Sequence, residues 1–122
     1  MSKSRYSDGL DCYEKQNILN LPCPWQRTFL LRFYEQLQMQ QLRKKDVVER
    51  FNKHPQKETI LSRDYILSES TLSECTNFNS PHLKLPSVNT LLAIELALNV
   101  PYDYLIGRID NTLSENSLHK KH

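Results

Sequence analysis

The chain has 122 residues, a hydrophobic fraction of 39% and a formal net charge of +2, a balance that permits nucleic acid as a partner without demanding it. Such a length suits a single domain, and a hydrophobic share below the globular mean of roughly 45–50% implies a small core with polar extensions. No apolar run approaches the roughly 18–20 residues that span a bilayer, and the polar start lacks the apolar segment of a signal peptide, so the expectation is a cytoplasmic protein with no membrane role.

Residues 1–25 read as a polar N-terminal arm. Asp8-Gly9 marks a turn, Pro22 and Pro24 bracket Cys23, and Tyr13, Ile18 and Leu19 share the loose face of a short helix over Asp11–Leu19. The arm is either a floppy lead-in or a packing and dimerisation element. Trp25 stands just ahead of the first strong helix, placed to staple it to the core. Gln26–Gln41 is that helix, with Leu30, Phe33, Tyr34 and Leu37 on one stripe and Arg32, Glu35, Gln36 and Gln38 on the other. Leu42–Phe51 is the next: Val47, Val48 and Phe51 are its apolar positions, and Arg43, Lys44 and Lys45 crowd its first turn. Asn52 ends it, and His54-Pro55 prevents its continuation.

Further on, Leu67-Ser68-Glu69-Ser70-Thr71-Leu72-Ser73-Glu74-Cys75 reads as a helix with Leu67, Leu72 and Cys75 facing the core. A rival register starts at Leu61-Ser62-Arg63-Asp64-Tyr65-Ile66 but continues poorly, because Glu69 then takes the core position that Cys75 otherwise fills; the later register is preferred. A loop over Asn77–Leu85 follows. Pro86 cannot continue a helix, Ser87 is a natural N-cap, and Leu91, Ile94 and Leu98 recur at helical spacing with Ala97 beside them. Asn99 tolerates the left-handed conformation that ends many helices; Val100 and Pro101 turn a corner, Tyr104 and Leu105 form a second short apolar face, and Gly107 stops it. Residues 108–122 show no sustained periodicity and read as a flexible tail.

The stretch Pro86-Ser87, Leu91, Ile94, Leu98, Val100, Tyr104-Leu105, Gly107 resembles the closing helices of the lambda-repressor-like (Cro/repressor-type, XRE) helix-turn-helix family. Leu42–Asn52 is similar to that family's second helix, and Leu67–Cys75 to its recognition helix. Two departures stand out. Asn52 occupies the place where the family usually has Gly, and residues 53–66 intervene where the family runs directly from second to third helix. The resemblance implies an all-α, five-helix domain over residues 26–107 with an insertion between helices two and three.

Chemistry follows from the same residues. Three widely spaced cysteines, Cys12, Cys23 and Cys75, show no metal-ligand spacing and are expected as thiols. Two glycines cannot build a phosphate loop, and the Ser, His and Asp residues form no catalytic arrangement, so neither an enzyme nor a cofactor is expected. DNA binding has a physical route: in a helix-turn-helix the second helix enters the major groove and the flanks hold phosphates. Outward positions on the reading helix are Ser68, Glu69, Ser70, Thr71, Ser73 and Glu74, and Glu can accept from a cytosine amine. Arg43, Lys44 and Lys45 form a cluster suited to phosphate, and Lys53, Lys57 and Arg63 flank it. Against this, a groove lined with phosphates repels Glu69 and Glu74 unless each finds a cytosine amine or a neighbouring cation.

The resemblance therefore implies a DNA-binding transcriptional regulator, a repressor by expectation, that binds double-stranded DNA as a homodimer. Dimer contacts are expected from the arm and the exposed side of helices four and five. The alternative is a protein-interaction module or antitoxin on the same fold, with a regulatory protein as partner.

Overall fold

The computed structural model describes residues 10–62 and 64–110, and every regular element among them is helical. The order is α1 (Cys12–Leu19), α2 (Pro24–Gln40), α3 (Lys44–Asn52), α4 (Lys57–Ile60), α5 (Glu69–Thr76), α6 (Val88–Leu98) and α7 (Tyr102–Leu105). The number exceeds five because α1 lies ahead of the expected domain and α4, a single turn, lies within residues 53–66. None of these helices is long and apolar enough to cross a membrane.

Helix α1 starts at a capping box: the Asp11 carboxylate accepts from the Glu14 N–H, and the Glu14 side chain accepts from the Asp11 N–H. The helix falls within the expected Asp11–Leu19, and its Ile18 is fully buried in the common core, so of the two readings of the arm the described part follows the packed one, against α2. Helix α2 begins at Pro24, two residues before the expected start, because proline in the first turn has no N–H to leave unpaired. Trp25 consequently sits inside that first turn, half-buried against the core. At the other end Gln41 adopts the left-handed conformation (φ 56°), with Gln41 N–H on the Gln38 carbonyl and Leu42 N–H on that of Leu37. This is a Schellman closure, stabilised by burying both Leu37 and Leu42.

The next helix begins at Lys44 rather than Leu42, with Arg43 as its cap residue and the Asp46 carboxylate accepting from the Arg43 N–H. It packs on both α6 and α5, while α2 packs on α7 and α6 on α7. Helix α6 has the expected ends. The Ser87 hydroxyl accepts from the Thr90 N–H at 3.2 Å, and Asn99 stands at φ 60° with its N–H on the Glu95 carbonyl. Its last carbonyls are not left unpaired: Gln40 Nε2 donates to Leu98 O at 2.9 Å and Arg50 Nη1 to Ala97 O at 3.2 Å. The closing turn is held from α2, where Arg32 Nη1 donates to the carbonyls of Tyr104 and Ile109 and its guanidinium lies 4.5 Å from the Tyr104 ring centre.

Phe29, Phe33, Leu37, Val47, Phe51, Leu67, Leu72, Ile94, Leu98 and Leu105 are fully buried in a single cluster joining the helices. The apolar stripes expected on α2, α5 and α6 all face this cluster, including Cys75 at the site expected for a small core residue.

Candidate nucleic-acid interface

One side chain bridges α3 to the residue that leads into α5. Asn52, the last residue of α3, donates from Nδ2 to the Leu67 carbonyl at 3.0 Å, and its Oδ1 accepts from the Leu67 N–H at 3.1 Å. The amide thus satisfies both backbone groups of a residue whose side chain is buried, fifteen positions away. Residues 53–66 leave and return at this bridge. They are not a free loop: Leu61 and Tyr65 pack against the core, the Tyr65 ring meets Phe51 edge-on at 5.7 Å, the Lys57 ammonium lies 5.6 Å from the same ring centre, and α4 touches α6.

Beyond the bridge α5 starts at Glu69, in the later of the two registers, and the described residues of 61–66 form no helix. Ser68 is its N-cap: the hydroxyl accepts from the Thr71 N–H at 3.0 Å and donates to Thr71 Oγ1 at 2.9 Å. Two residues expected to face outward for recognition, Ser68 and Thr71, are therefore engaged in starting the helix. Glu69, Ser70 and Glu74 are exposed and Ser73 half-exposed, leaving an outward stripe of two carboxylates and two hydroxyls.

Cations surround this stripe unevenly. Lys84 was not anticipated from sequence, where it is one lysine in a loop between two leucines. Its N–H donates to the Glu74 carbonyl at 2.8 Å and its ammonium stands 3.9 Å from the Glu74 carboxylate. One of the two acids thereby has the neighbouring cation that the groove would require. Lys44 packs its ammonium 5.1 Å from the centre of the Tyr34 ring, and the Tyr34 hydroxyl donates to the Thr76 carbonyl at 2.6 Å, so the first turn of α3 and the last of α5 meet on one aromatic ring. Burial pushes the Cys75 thiol between them up to about 12, with the backbone hydrogen bond lowering it, Glu74 raising it and Lys44 lowering it.

Lys45 and Arg43 are exposed beside Lys44, Arg43 with its Nε 3.9 Å from Asp46. Lys53, the residue that caps the end of α3, pairs back with Glu49 at 3.0 Å. Arg63 lies outside the described residues. The structure thus brings Lys44 to the end of α5 through the Tyr34 ring, with Arg43 and Lys45 as its neighbours along the chain. Chemically, the surface offers hydroxyl donors and acceptors, one unshielded carboxylate and ammonium groups on its flank. Among the described residues no group of three or more His, Cys, Asp and Glu is placed to hold a metal ion.

No family model, curated protein or solved structure matches the chain.

Proposed function

We propose that the chain is a sequence-specific regulator, acting as a repressor, that binds double-stranded DNA as a homodimer through a lambda-repressor-like helix-turn-helix made of α3 and α5. The observation that carries this reading is the Asn52–Leu67 bridge. It supports treating α3 and α5 as neighbours across a short turn despite fourteen intervening residues, with residues 53–66 as an excursion on the outside of that turn. In this reading α5 enters the major groove, and Glu69, Ser70, Ser73 and Glu74 meet base edges, the carboxylates accepting from cytosine amines. Arg43, Lys44 and Lys45 hold phosphates beside it and Lys84 offsets the charge of Glu74. Repression follows from occupying a promoter, without a cofactor or a catalytic step.

The test is a paired substitution. Lys44→Ala with Lys45→Ala lowers DNA affinity for every sequence alike and makes the salt dependence shallower by about two in log–log slope, one for each lost phosphate contact. Unchanged affinity removes these phosphate contacts from the account. Ser70→Ala with Ser73→Ala instead changes sequence preference more than non-specific affinity.

A second reading has its own observation. The outward stripe of α5 bears two acids and no base, and Lys53 is tied to Glu49. An acidic helix face of this kind suits a basic protein partner, as in an antitoxin or assembly factor on the same scaffold. The lysine pair separates the two: it weakens DNA binding in the first and leaves partner binding unchanged in the second.

A further inference from the structure

On the outside of α1 and α2 lies a groove of about 530 Å³ lined by Leu10, Lys15, Leu31, Glu35, Gln38 and Met39. From the geometry we infer that this groove is the surface on which two copies of the chain pair, by a two-fold axis that sets Lys15 of each copy against Glu35 of the other. The inference rests on the homodimer of the proposed function and names its interface.

Three observations carry it. First, the patch is apolar where a surface helix should be polar: Met39 is 66% exposed and Leu19, one helical turn beyond Lys15 on the same face of α1, is 50% exposed. Pairing was expected from the arm, which supplies α1, and from the exposed side of α6 and α7; among the described residues α6 and α7 themselves expose one large apolar residue, Val88, at the first position of α6. Second, the groove carries one charge of each sign, a lysine on its α1 wall and a glutamate on its α2 wall. Among the described residues neither is in an ion pair. Glu35 has only a hydrogen bond from the Tyr104 hydroxyl, at 3.4 Å. A two-fold contact brings the same patch against itself, and a patch bearing both signs is complementary to its own copy, whereas a patch of one sign repels it. Third, Leu31, Glu35, Gln38 and Met39 fall at i, i+4, i+7 and i+8, one continuous stripe that can lie along the Leu10–Lys15 wall of the other copy. The unbranched Met39 side chain fills irregular space, so each copy's Met39 packs against Leu10 of the other, beside the Lys15–Glu35 pair.

Charge reversal tests this on the full chain without DNA, by sedimentation equilibrium from micromolar to sub-millimolar protein. The wild-type chain is expected to be a dimer. Lys15→Glu alone and Glu35→Lys alone each place like charges opposite one another twice and weaken self-association about tenfold or more. Mixing the two variants makes every opposed pair attractive again and restores a one-to-one heterodimer. Circular dichroism melts show that each variant remains folded. A monomeric wild-type chain, single variants that dimerise as tightly as wild type, or a mixture that fails to restore association overturns the proposal and assigns the groove to another occupant. A dimer that selects no DNA sequence leaves this interface standing and removes the regulator. Selection of a palindrome by a chain indifferent to the reversals does the opposite.

Discussion

Two asparagines end two helices here, and they do so by different physics. Asn99 closes α6 with its backbone: at φ 60° it turns the chain within one residue, and Val100 and Pro101 carry it into α7. Asn52 closes α3 with its side chain, reaching across residues 53–66 to hold Leu67 at both its N–H and its carbonyl. The first junction is local and would serve any chain with a residue tolerant of that conformation. The second depends on the amide group itself, which supplies a donor to the Leu67 carbonyl and an acceptor to its N–H. A corner can therefore be written in three or four consecutive residues, while a long excursion needs one specific long-range pair to bring its ends together.

Breaking the excursion's packing has the largest effect. Phe51 is fully buried and contacts both Tyr65 and Lys57. Phe51→Ala is expected to cost about 3–5 kcal/mol, seen as a large fall in the urea midpoint. Next comes the bridge. Asn52→Ala leaves the Leu67 N–H and carbonyl without partners and costs about 1–3 kcal/mol, with loss of hydrogen-exchange protection at the Leu67 amide. The sharpest contrast is glycine. Asn99→Gly keeps the backbone conformation and changes stability by less than about 0.5 kcal/mol, whereas Asn52→Gly suffers the full loss of the bridge. Equal effects of the two glycine substitutions would show that both asparagines act through the backbone alone.

A smaller effect is set by pH. Burial raises the Cys75 thiol from its ordinary 9.0 to about 12. Above pH 9 the unfolded chain loses this proton while the folded chain keeps it, so the unfolded state binds fewer protons and stability falls as pH rises. The contribution is whole below pH 9 and is lost progressively toward pH 12. Cys75→Ala should flatten that alkaline decline in a series of urea melts, at some cost in packing at every pH. Thiol titration offers a check at neutral pH: exposed Cys12 reacts in the native chain and Cys75 only after unfolding.

The same contrast explains what was legible in the sequence. The closing helices were readable because each device is local: the Ser87 cap, the stripe of Leu91, Ile94 and Leu98, the left-handed Asn99 and Gly107 at φ 90° act within a turn of themselves. The register of α5 was also readable, since only one alignment put Leu67, Leu72 and Cys75 inward. The bridge was not. Asn52 looked like a replacement for glycine at a helix end, and a partner fifteen residues away leaves no trace in local patterning. The candidate site was partly readable for the same reason. Its exposed members Glu69 and Ser70 follow from helical spacing, but Ser68 and Thr71 were assigned outward roles that capping takes up. Lys84 was missed because its approach to Glu74 comes from the path of the loop after α5. The short helix over Asp11–Leu19 was legible too, but of the face formed by Tyr13, Ile18 and Leu19 the core takes up Ile18 alone, so local pattern left open whether the segment packs.

The central claim is that α3 and α5 form a DNA-reading pair, and selection of the purified full chain on random duplex DNA at two salt concentrations tests it most directly. The account predicts enrichment of a palindrome whose two half-sites lie about one helical turn apart, bound less tightly at the higher salt. Weak binding with no enriched sequence at either salt would contradict it and turn attention to the acidic face of α5 as a protein-binding surface.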